Sequence, residues 1–137
     1  MGVLTMPVIA SITAGVLIIA QLGLMLAADQ NRRRARQSLG DGTDAALLRA
    51  VRRHGNFAEN AAIFVVALAL AEMMGAQRWF VAALAALFIV GRISHAVGLS
   101  MANTVNNWRI AGIFATVTAG VVLGVRLILI GASHLGP

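Results

Sequence analysis

Residues 1–28 read MGVLTMPVIASITAGVLIIAQLGLMLAA and contain no charged side chain. A helix that crosses a bilayer needs about 20 consecutive apolar residues, so this stretch predicts a transmembrane helix from about residue 6 to residue 28. A secretory signal peptide fits less well, because no basic residue precedes the apolar run and the run is too long for a signal-peptide core. The sequence therefore predicts a membrane protein.

The composition of the whole chain supports several such helices. Of its 137 residues, 59% are hydrophobic and only 12% are charged. Four spans of about 20 residues would use about 80 residues, almost the whole apolar content. This composition excludes a soluble globular enzyme and a disordered chain, and the lack of cysteine excludes a disulfide scaffold. We predict an all-α integral membrane four-helix bundle with an antiparallel up-down arrangement, formed by one domain over residues 1–137, with helices at about 6–28, 57–75, 79–101 and 110–132.

The charges predict how the chain is oriented. All 11 basic residues are arginine, and the net charge is +6. Seven arginines lie in or beside the predicted loop 29–56: Arg32, Arg33, Arg34, Arg36, Arg49, Arg52 and Arg53. Cytoplasmic loops are rich in arginine, so we expect this loop to be cytoplasmic and both termini to lie outside, in a multi-pass protein of the inner (plasma) membrane. Nucleic acid is not an expected partner, because the arginines flank apolar runs instead of covering a soluble surface.

Turns and small residues complete the organisation of the chain. The segment Leu39–Thr43 (LGDGT) reads as the turn of the first loop, Met74–Gln77 as a tight turn, and Ala102–Asn107 as a short polar link. Gly120 and Gly124 form a GxxxG pattern, and Ala82 and Ala86 repeat its spacing, so either pair could mark a close helix contact. A general abundance of small residues explains each pair equally well.

Polar side chains inside the predicted spans are the candidates for function. An ionisable group at membrane depth costs at least about 2.5–3.5 kcal/mol, so it needs a partner or a purpose. One group is expected near the cytoplasmic side, where it would form a positively charged pocket for an anion: Arg52, Asn56 and Glu59 at i, i+4 and i+7, Arg92 and His95 at i and i+3, and Arg109. Glu59 and Arg92 could instead only neutralise each other. A second pair, Glu72 with Arg126, is predicted near the opposite face as a structural contact. No metal site is predicted.

Two linked motifs resemble a known family. Residues 52–59 read R-x-H-x-N-x-x-E, and residues 92–95 read R-x-x-H in the next span. This pattern resembles the MAPEG family, the membrane-associated proteins in eicosanoid and glutathione metabolism, and looks closest to its bacterial members. The resemblance covers essentially the whole chain. It implies a homotrimer of left-handed four-helix bundles, with glutathione as cosubstrate held between subunits near the cytoplasmic side.

The resemblance also implies roles for individual residues. Arg109 would be catalytic, because the matching arginine of characterised members stabilises the glutathione thiolate. The implied glutathione-binding residues are Arg32, Arg52, Asn56, Glu59, Arg92 and His95. A nearby guanidinium lowers the pKa of a thiol by favouring its anion, which is the nucleophile. A small hydrophobic molecule that partitions from the membrane lipid would then be the electrophile.

The sequence departs from the family pattern at two places. Leu99 stands where characterised eukaryotic members have a tyrosine that contacts glutathione, and Ala62 and Ile63 stand where a proline often follows the first motif. Two function hypotheses remain. One is a microsomal-type glutathione transferase or peroxidase, which conjugates or reduces small hydrophobic electrophiles. The alternative is a non-catalytic protein of the same fold that binds a lipid or a partner helix. A transporter is less favoured, because no inverted repeat or broken helix is evident.

Overall fold

A computed structural model describes residues 6–40, 43–103 and 105–135 of the chain. These residues form five α-helices and no strand: α1 (Val8–Ala35), α2 (Ala45–Glu59), α3 (Ala61–Met73), α4 (Arg78–Ser100) and α5 (Asn107–Ser133). Because α2 and α3 together make one span, four segments are long and apolar enough to cross a membrane. The predicted number of spans is therefore confirmed. Of the predicted turn LGDGT, Asp41 and Gly42 lie outside the described residues.

The first two spans are longer than predicted, at the expense of the loop between them. The helix predicted to end at residue 28 continues to Ala35, and the helix predicted to begin at residue 57 begins at Ala45. Helix α1 continues past the apolar run because arginines near its end interact favourably with the helix dipole. It stops at Arg36, whose φ of 53° and two backbone hydrogen bonds form a left-handed C-cap. The Asp44 side chain starts α2 by accepting a hydrogen bond from the Leu47 N–H at 2.8 Å.

The second span is broken at Asn60, although it contains no proline. In a regular helix the Asn60 N–H would donate to the Asn56 carbonyl, but it is directed at the Ala58 carbonyl instead. The Arg92 guanidinium, from α4, donates a hydrogen bond to that Asn56 carbonyl. A side chain that enters the hydrogen-bond ladder is a recognised cause of a helix break. We therefore attribute the boundary between α2 and α3 to Arg92.

Helices α4 and α5 make a close contact through glycines. A Cβ built on Gly112 would lie 2.5 Å from the His95 backbone nitrogen, and one on Gly98 would lie 2.6 Å from the Arg109 nitrogen. Only glycine permits backbones to approach so closely. The predicted contact glycines, Gly120 and Gly124, have no such role within the described chain, because a Cβ at either position meets nothing within 4 Å.

The core between the helices is small and apolar. The rings of Phe64 on α3 and Phe88 on α4 stack with centroids 3.8 Å apart, and Leu68, Val81 and Leu123 are completely or almost completely buried beside them. Many other large apolar side chains, such as Ile19, Phe114 and Ile128, point outward. Outward apolar surface of this extent suits a chain whose solvent is lipid.

Glu72 has a role that differs from the predicted pair with Arg126. Its side chain is 4% exposed, and its two carboxylate oxygens accept hydrogen bonds from the backbone N–H groups of Ile9 and Ala10 at 3.1 and 3.0 Å. These N–H groups belong to the first turn of α1, which has no partner for them within the helix. Arg126 lies on the exposed side of α5, beside Gln77 and Phe80. Glu72 thus joins α3 to the start of α1, because a helix N-terminus attracts a carboxylate.

Candidate functional site

Arg92 lies at the centre of the predicted polar group. It is 5% exposed, since α4 packs between the other helices, and its guanidinium donates to the Asn56 carbonyl on α2. The guanidinium carbon also lies 5.8 Å from the centre of the Phe57 ring, a distance at which a cation is attracted to an aromatic face. The Arg92 Nε is buried and has no hydrogen-bond acceptor among the described residues.

His95 lies one helical turn from Arg92 and is equally buried. Its backbone contacts Gly112 of α5, and this contact fixes where the His95 side chain is attached relative to that helix. The charges of Arg92, Arg109 and Glu59 all act on its ring. The Nδ1 atom is buried and has no partner within the described part of the chain. Two adjacent buried side chains therefore each retain one unsatisfied nitrogen.

The predicted face of α2 lies beside these two residues and points outward. Arg52 and Glu59 are exposed and Asn56 is half-buried, whereas Phe57 is turned inward. The Asn56 amide donates to the Arg52 carbonyl at 3.0 Å, so its side chain lies along its own helix. Glu59 attracts the Arg92 guanidinium electrostatically, but the direct hydrogen bond of that guanidinium goes to the Asn56 carbonyl.

Arg109 is held by the connection between α4 and α5. The Asn106 side chain caps α5 by accepting from the Arg109 N–H at 3.0 Å, and it donates to the Gly98 carbonyl at 2.9 Å. Ser94 adds a hydrogen bond to the Trp108 carbonyl at 2.7 Å. These contacts fix the start of α5 against α4, which places half-buried Arg109 at the end of the bundle where His95 lies.

Arg32 is engaged outside this cluster. Its Nη1 donates to the Gly40 carbonyl at 2.6 Å, so it closes the turn that follows α1. Leu99, at the position of the family tyrosine, is 6% exposed and packs inside the subunit. Within the described ranges, no three His, Asp or Glu side chains lie close enough to share a metal ion.

Arg53 is a polar residue of this end that sequence reasoning did not single out. Its Nη1 donates to the Ser100 hydroxyl on α4 at 2.9 Å, and its Nε is buried without an acceptor among the described residues. Helical geometry could have separated Arg53 from Arg52, since neighbouring helix residues point about 100° apart. Arg52 and Arg53 therefore could not both lie on the Asn56–Glu59 face.

The cluster offers a defined chemistry. Arginine side chains present several N–H donors and a permanent positive charge, while Glu59 presents an acceptor for an ammonium group. Two buried nitrogens, on Arg92 and His95, lack partners within the described residues, and such groups are uncommon in folded proteins. The arrangement suits a zwitterionic ligand that carries carboxylates and an amine.

Comparison with known proteins agrees with this architecture. The sequence profile described as the MAPEG family matches residues 9–129. The chain is also 34% identical, over 85 residues, to proteins named "Inner membrane protein YecN" from Escherichia coli strains K12 and O6:H1 (CFT073). That match covers 62% of this chain and spans 63% of the length of each relative. Because the family profile covers most of the sequence and extends into all four spans, this chain is a membrane protein that belongs to the MAPEG family.

Proposed function

We propose that this protein is a glutathione-dependent transferase or peroxidase that conjugates or reduces small hydrophobic electrophiles. The observation that carries the proposal is the pair of unsatisfied buried nitrogens on Arg92 and His95, next to the outward face formed by Arg52, Asn56 and Glu59. Family membership supports glutathione as the cosubstrate. The geometry is the reason to expect a ligand next to Arg92 and His95.

The charges of the cluster match those of glutathione. The tripeptide carries two carboxylates, one ammonium group and one thiol. Arg52 and Arg109 supply positive charge for the carboxylates and the thiolate, and Glu59 supplies a negative charge for the ammonium. Arginine is well suited to carboxylates because its planar guanidinium can donate two parallel hydrogen bonds. Arg32 would join this set only if it exchanged its bond to the Gly40 carbonyl.

A homotrimer would complete the site. Glu59 and Arg52 are exposed on a single subunit, although Glu59 adjoins the apolar part of its span, where charged groups generally face a partner. A second copy of the chain would cover this face and enclose the ligand between subunits.

The contacts of Gly98 with Arg109 and of Gly91 with Thr116 support an antiparallel course for α4 and α5.

The arginine distribution supports a cytoplasmic position for the site. With the arginine-rich segment inside, both termini would lie outside the cytoplasm. The name of the curated relatives supports the inner membrane as the location. Cytoplasmic glutathione would then enter from the water side, and the electrophile would enter from the lipid.

The chemistry requires a thiolate and a positioned electrophile. The thiol would release its proton to solvent, and Arg109 would stabilise the resulting anion through its charge. The thiolate would attack the electrophilic carbon, forming a C–S bond while the leaving group departs with its electron pair. With a hydroperoxide, the thiolate would attack the terminal oxygen and break the O–O bond, so that the alkoxide leaves and is protonated to the alcohol. The glutathione sulfenic acid formed in this step would condense with a second glutathione to give the disulfide and water. Both reactions depend mainly on positioning and charge stabilisation.

The test is glutathione binding to the detergent-solubilised protein by calorimetry, together with ultraviolet absorbance of the thiolate. We expect saturable binding with a thiolate signal that Arg109→Ala abolishes. Arg126→Ala, on the same helix but exposed at the other end, is the matched control and should keep the signal. Absence of binding at millimolar glutathione by a folded protein would contradict the proposal.

The second candidate function is non-catalytic binding of a lipid or a partner helix. An apolar groove of about 560 Å³ between α3 and α5, lined by Ile63, Val117 and Gly120 among others, favours it, as does the apolar Leu99. Turnover above the uncatalysed rate with any electrophile would exclude this alternative. Conversely, lipid or peptide binding in the groove without glutathione binding would favour it.

A further inference from the structure

A second groove lies between α1, α2 and α4 and is separate from the proposed glutathione cluster. Its volume is about 370 Å³, and its walls include Leu24, Phe57, Ala96 and Val97. Gly23 leaves one wall open, because a Cβ built there meets nothing within 4 Å. Apart from Arg53 and Ser100, the residues that line the groove are apolar or glycine, and the groove opens to the exterior of the bundle, so an acyl chain fits its chemistry.

Arg53 and Ser100 lie in the polar part of this groove. Ser100 donates its hydroxyl proton to the Ala96 carbonyl at 2.9 Å and accepts a hydrogen bond from the Arg53 Nη1 at 2.9 Å. Ser100 therefore orients the guanidinium. The Arg53 Nε is buried without an acceptor among the described residues, and the groove lining contains no acidic side chain. A positive charge next to an apolar groove is thus left without a counter-charge in its lining.

We propose that this groove binds an anionic phospholipid. The phosphate would accept hydrogen bonds from the Arg53 guanidinium, which Ser100 orients, and one acyl chain would lie between α1 and α4. Basic pockets between transmembrane helices are known to select anionic headgroups, and guanidinium groups bind phosphate through paired hydrogen bonds. The surrounding arginines, within a net charge of +6, add attraction to any anionic headgroup.

The polar groups of this site are distinct from those of the glutathione cluster, although the Phe57 ring borders both. Arg53 follows Arg52 directly, and consecutive helix residues point about 100° apart. Arg52 is exposed on the Asn56–Glu59 side, whereas Arg53 points toward α4. Each site can therefore be tested without altering the residues of the other.

The test is native mass spectrometry of the detergent-solubilised protein with dioleoylphosphatidylglycerol and with dioleoylphosphatidylcholine. We expect about tenfold tighter binding of the anionic lipid, the size expected for one charge-assisted contact. Arg53→Gln should abolish this preference, whereas Arg49→Gln, which removes an arginine from the same helix, should retain it. Inorganic phosphate at millimolar concentration should not displace the lipid; displacement would assign the site to free phosphate and overturn the proposal.

A second variant tests the apolar part of the site and remains decisive if Arg53→Gln does not fold. Gly23→Leu places a side chain in the groove, and we expect it to lower affinity for the anionic lipid about tenfold, which corresponds to the loss of a few buried methylenes. Gly15→Leu is the matched control on α1, because a Cβ there also meets nothing within 4 Å. Equal binding of the two lipids by the wild type, or unchanged binding by Gly23→Leu, would overturn the proposal.

Discussion

Buried polar groups at the two ends of the bundle differ in whether their hydrogen bonds are satisfied within the chain. At one end, the Glu72 carboxylate accepts two backbone hydrogen bonds from α1 at 3.0 and 3.1 Å. At the other end, Arg92 and His95 are equally buried, but each retains a nitrogen without a partner in the described chain. A charged group whose hydrogen bonds are satisfied within the chain stabilises the fold. Groups left unsatisfied cost stability, and we propose that a ligand or a partner subunit supplies the missing hydrogen-bond partners.

The largest loss of stability is expected at the contact between α4 and α5, which holds together the arginine-rich end of the bundle, the end that carries Arg52, Arg92 and Arg109. In Gly112→Val, the new side chain would meet the His95 nitrogen at 2.5 Å and the Gly91 carbonyl at 2.7 Å, both backbone atoms that cannot yield without separating α4 from α5. We expect the free energy of unfolding to fall by about 3 kcal/mol, measured by SDS titration in mixed micelles. Gly120→Val is the control, with a change within about 0.5 kcal/mol; equal losses would refute the proposed contact.

The next largest loss of stability is expected for substitutions of Glu72, at the opposite end of the bundle. Glu72→Ala would leave the Ile9 and Ala10 N–H groups without the carboxylate, and we expect a loss of about 2–3 kcal/mol of unfolding free energy. Glu72→Gln should lose less, since one side-chain oxygen can still accept. Glutathione affinity should be unchanged in both variants once they are folded. A variant with full stability would show that the carboxylate does not anchor α1.

A smaller stability effect, joined to a binding effect, is expected for Arg92→Leu. Loss of the hydrogen bond to the Asn56 carbonyl should cost about 1.5 kcal/mol, partly offset because the unsatisfied Nε is removed with it. Unlike Glu72→Ala, this variant should also weaken glutathione binding. Arg92→Lys should recover part of both properties. Unchanged amide exchange at Asn60 in Arg92→Leu would contradict the explanation of the break in the second span.

The smallest effect is expected at Asp44, which starts α2 ahead of the residues of the candidate site. Asp44→Ala removes the N-cap of α2, which should cost about 1 kcal/mol and speed hydrogen exchange at the Leu47 amide. Asp29→Ala removes an exposed ion pair with Arg33 and should cost less than about 0.5 kcal/mol. If the two variants were equal in stability, the Asp44 cap would not contribute as the structure suggests.

The sequence predicts the parts of this fold that depend on apolar content. Four spans follow from hydrophobic length, because lipid demands long apolar helices. Apolar length alone predicts an end of α1 at residue 28, because it does not show that the following turns, which carry arginines, remain helical to Ala35. The predicted pair of Glu72 with Arg126 did not include the hydrogen bonds that the carboxylate accepts from the start of α1, because only the packing of α1 on α3 reveals them.

The helices that carry the candidate residues were predictable, but the contacts of those residues were not. The spacing of Arg52, Asn56 and Glu59 predicts one shared helix face, whereas their exposure, with Arg52 and Glu59 exposed and Asn56 half-buried, is known only from the structure. The bond from Arg92 to a backbone carbonyl, the glycines Gly98 and Gly112, and the orientation of Arg53 depend on contacts between helices. No periodic pattern within one helix encodes those contacts.

The most direct test of the contrast between the two ends compares their carboxylates. Glu59→Gln and Glu72→Gln change the same chemical group on the same span, and glutathione affinity by calorimetry distinguishes their roles. We predict that Glu59→Gln weakens binding about tenfold, the scale of one charge-assisted hydrogen bond, while Glu72→Gln leaves it unchanged. Equal affinities for both variants, or weaker binding in Glu72→Gln alone, would contradict the assignment of the arginine-rich end as the ligand site.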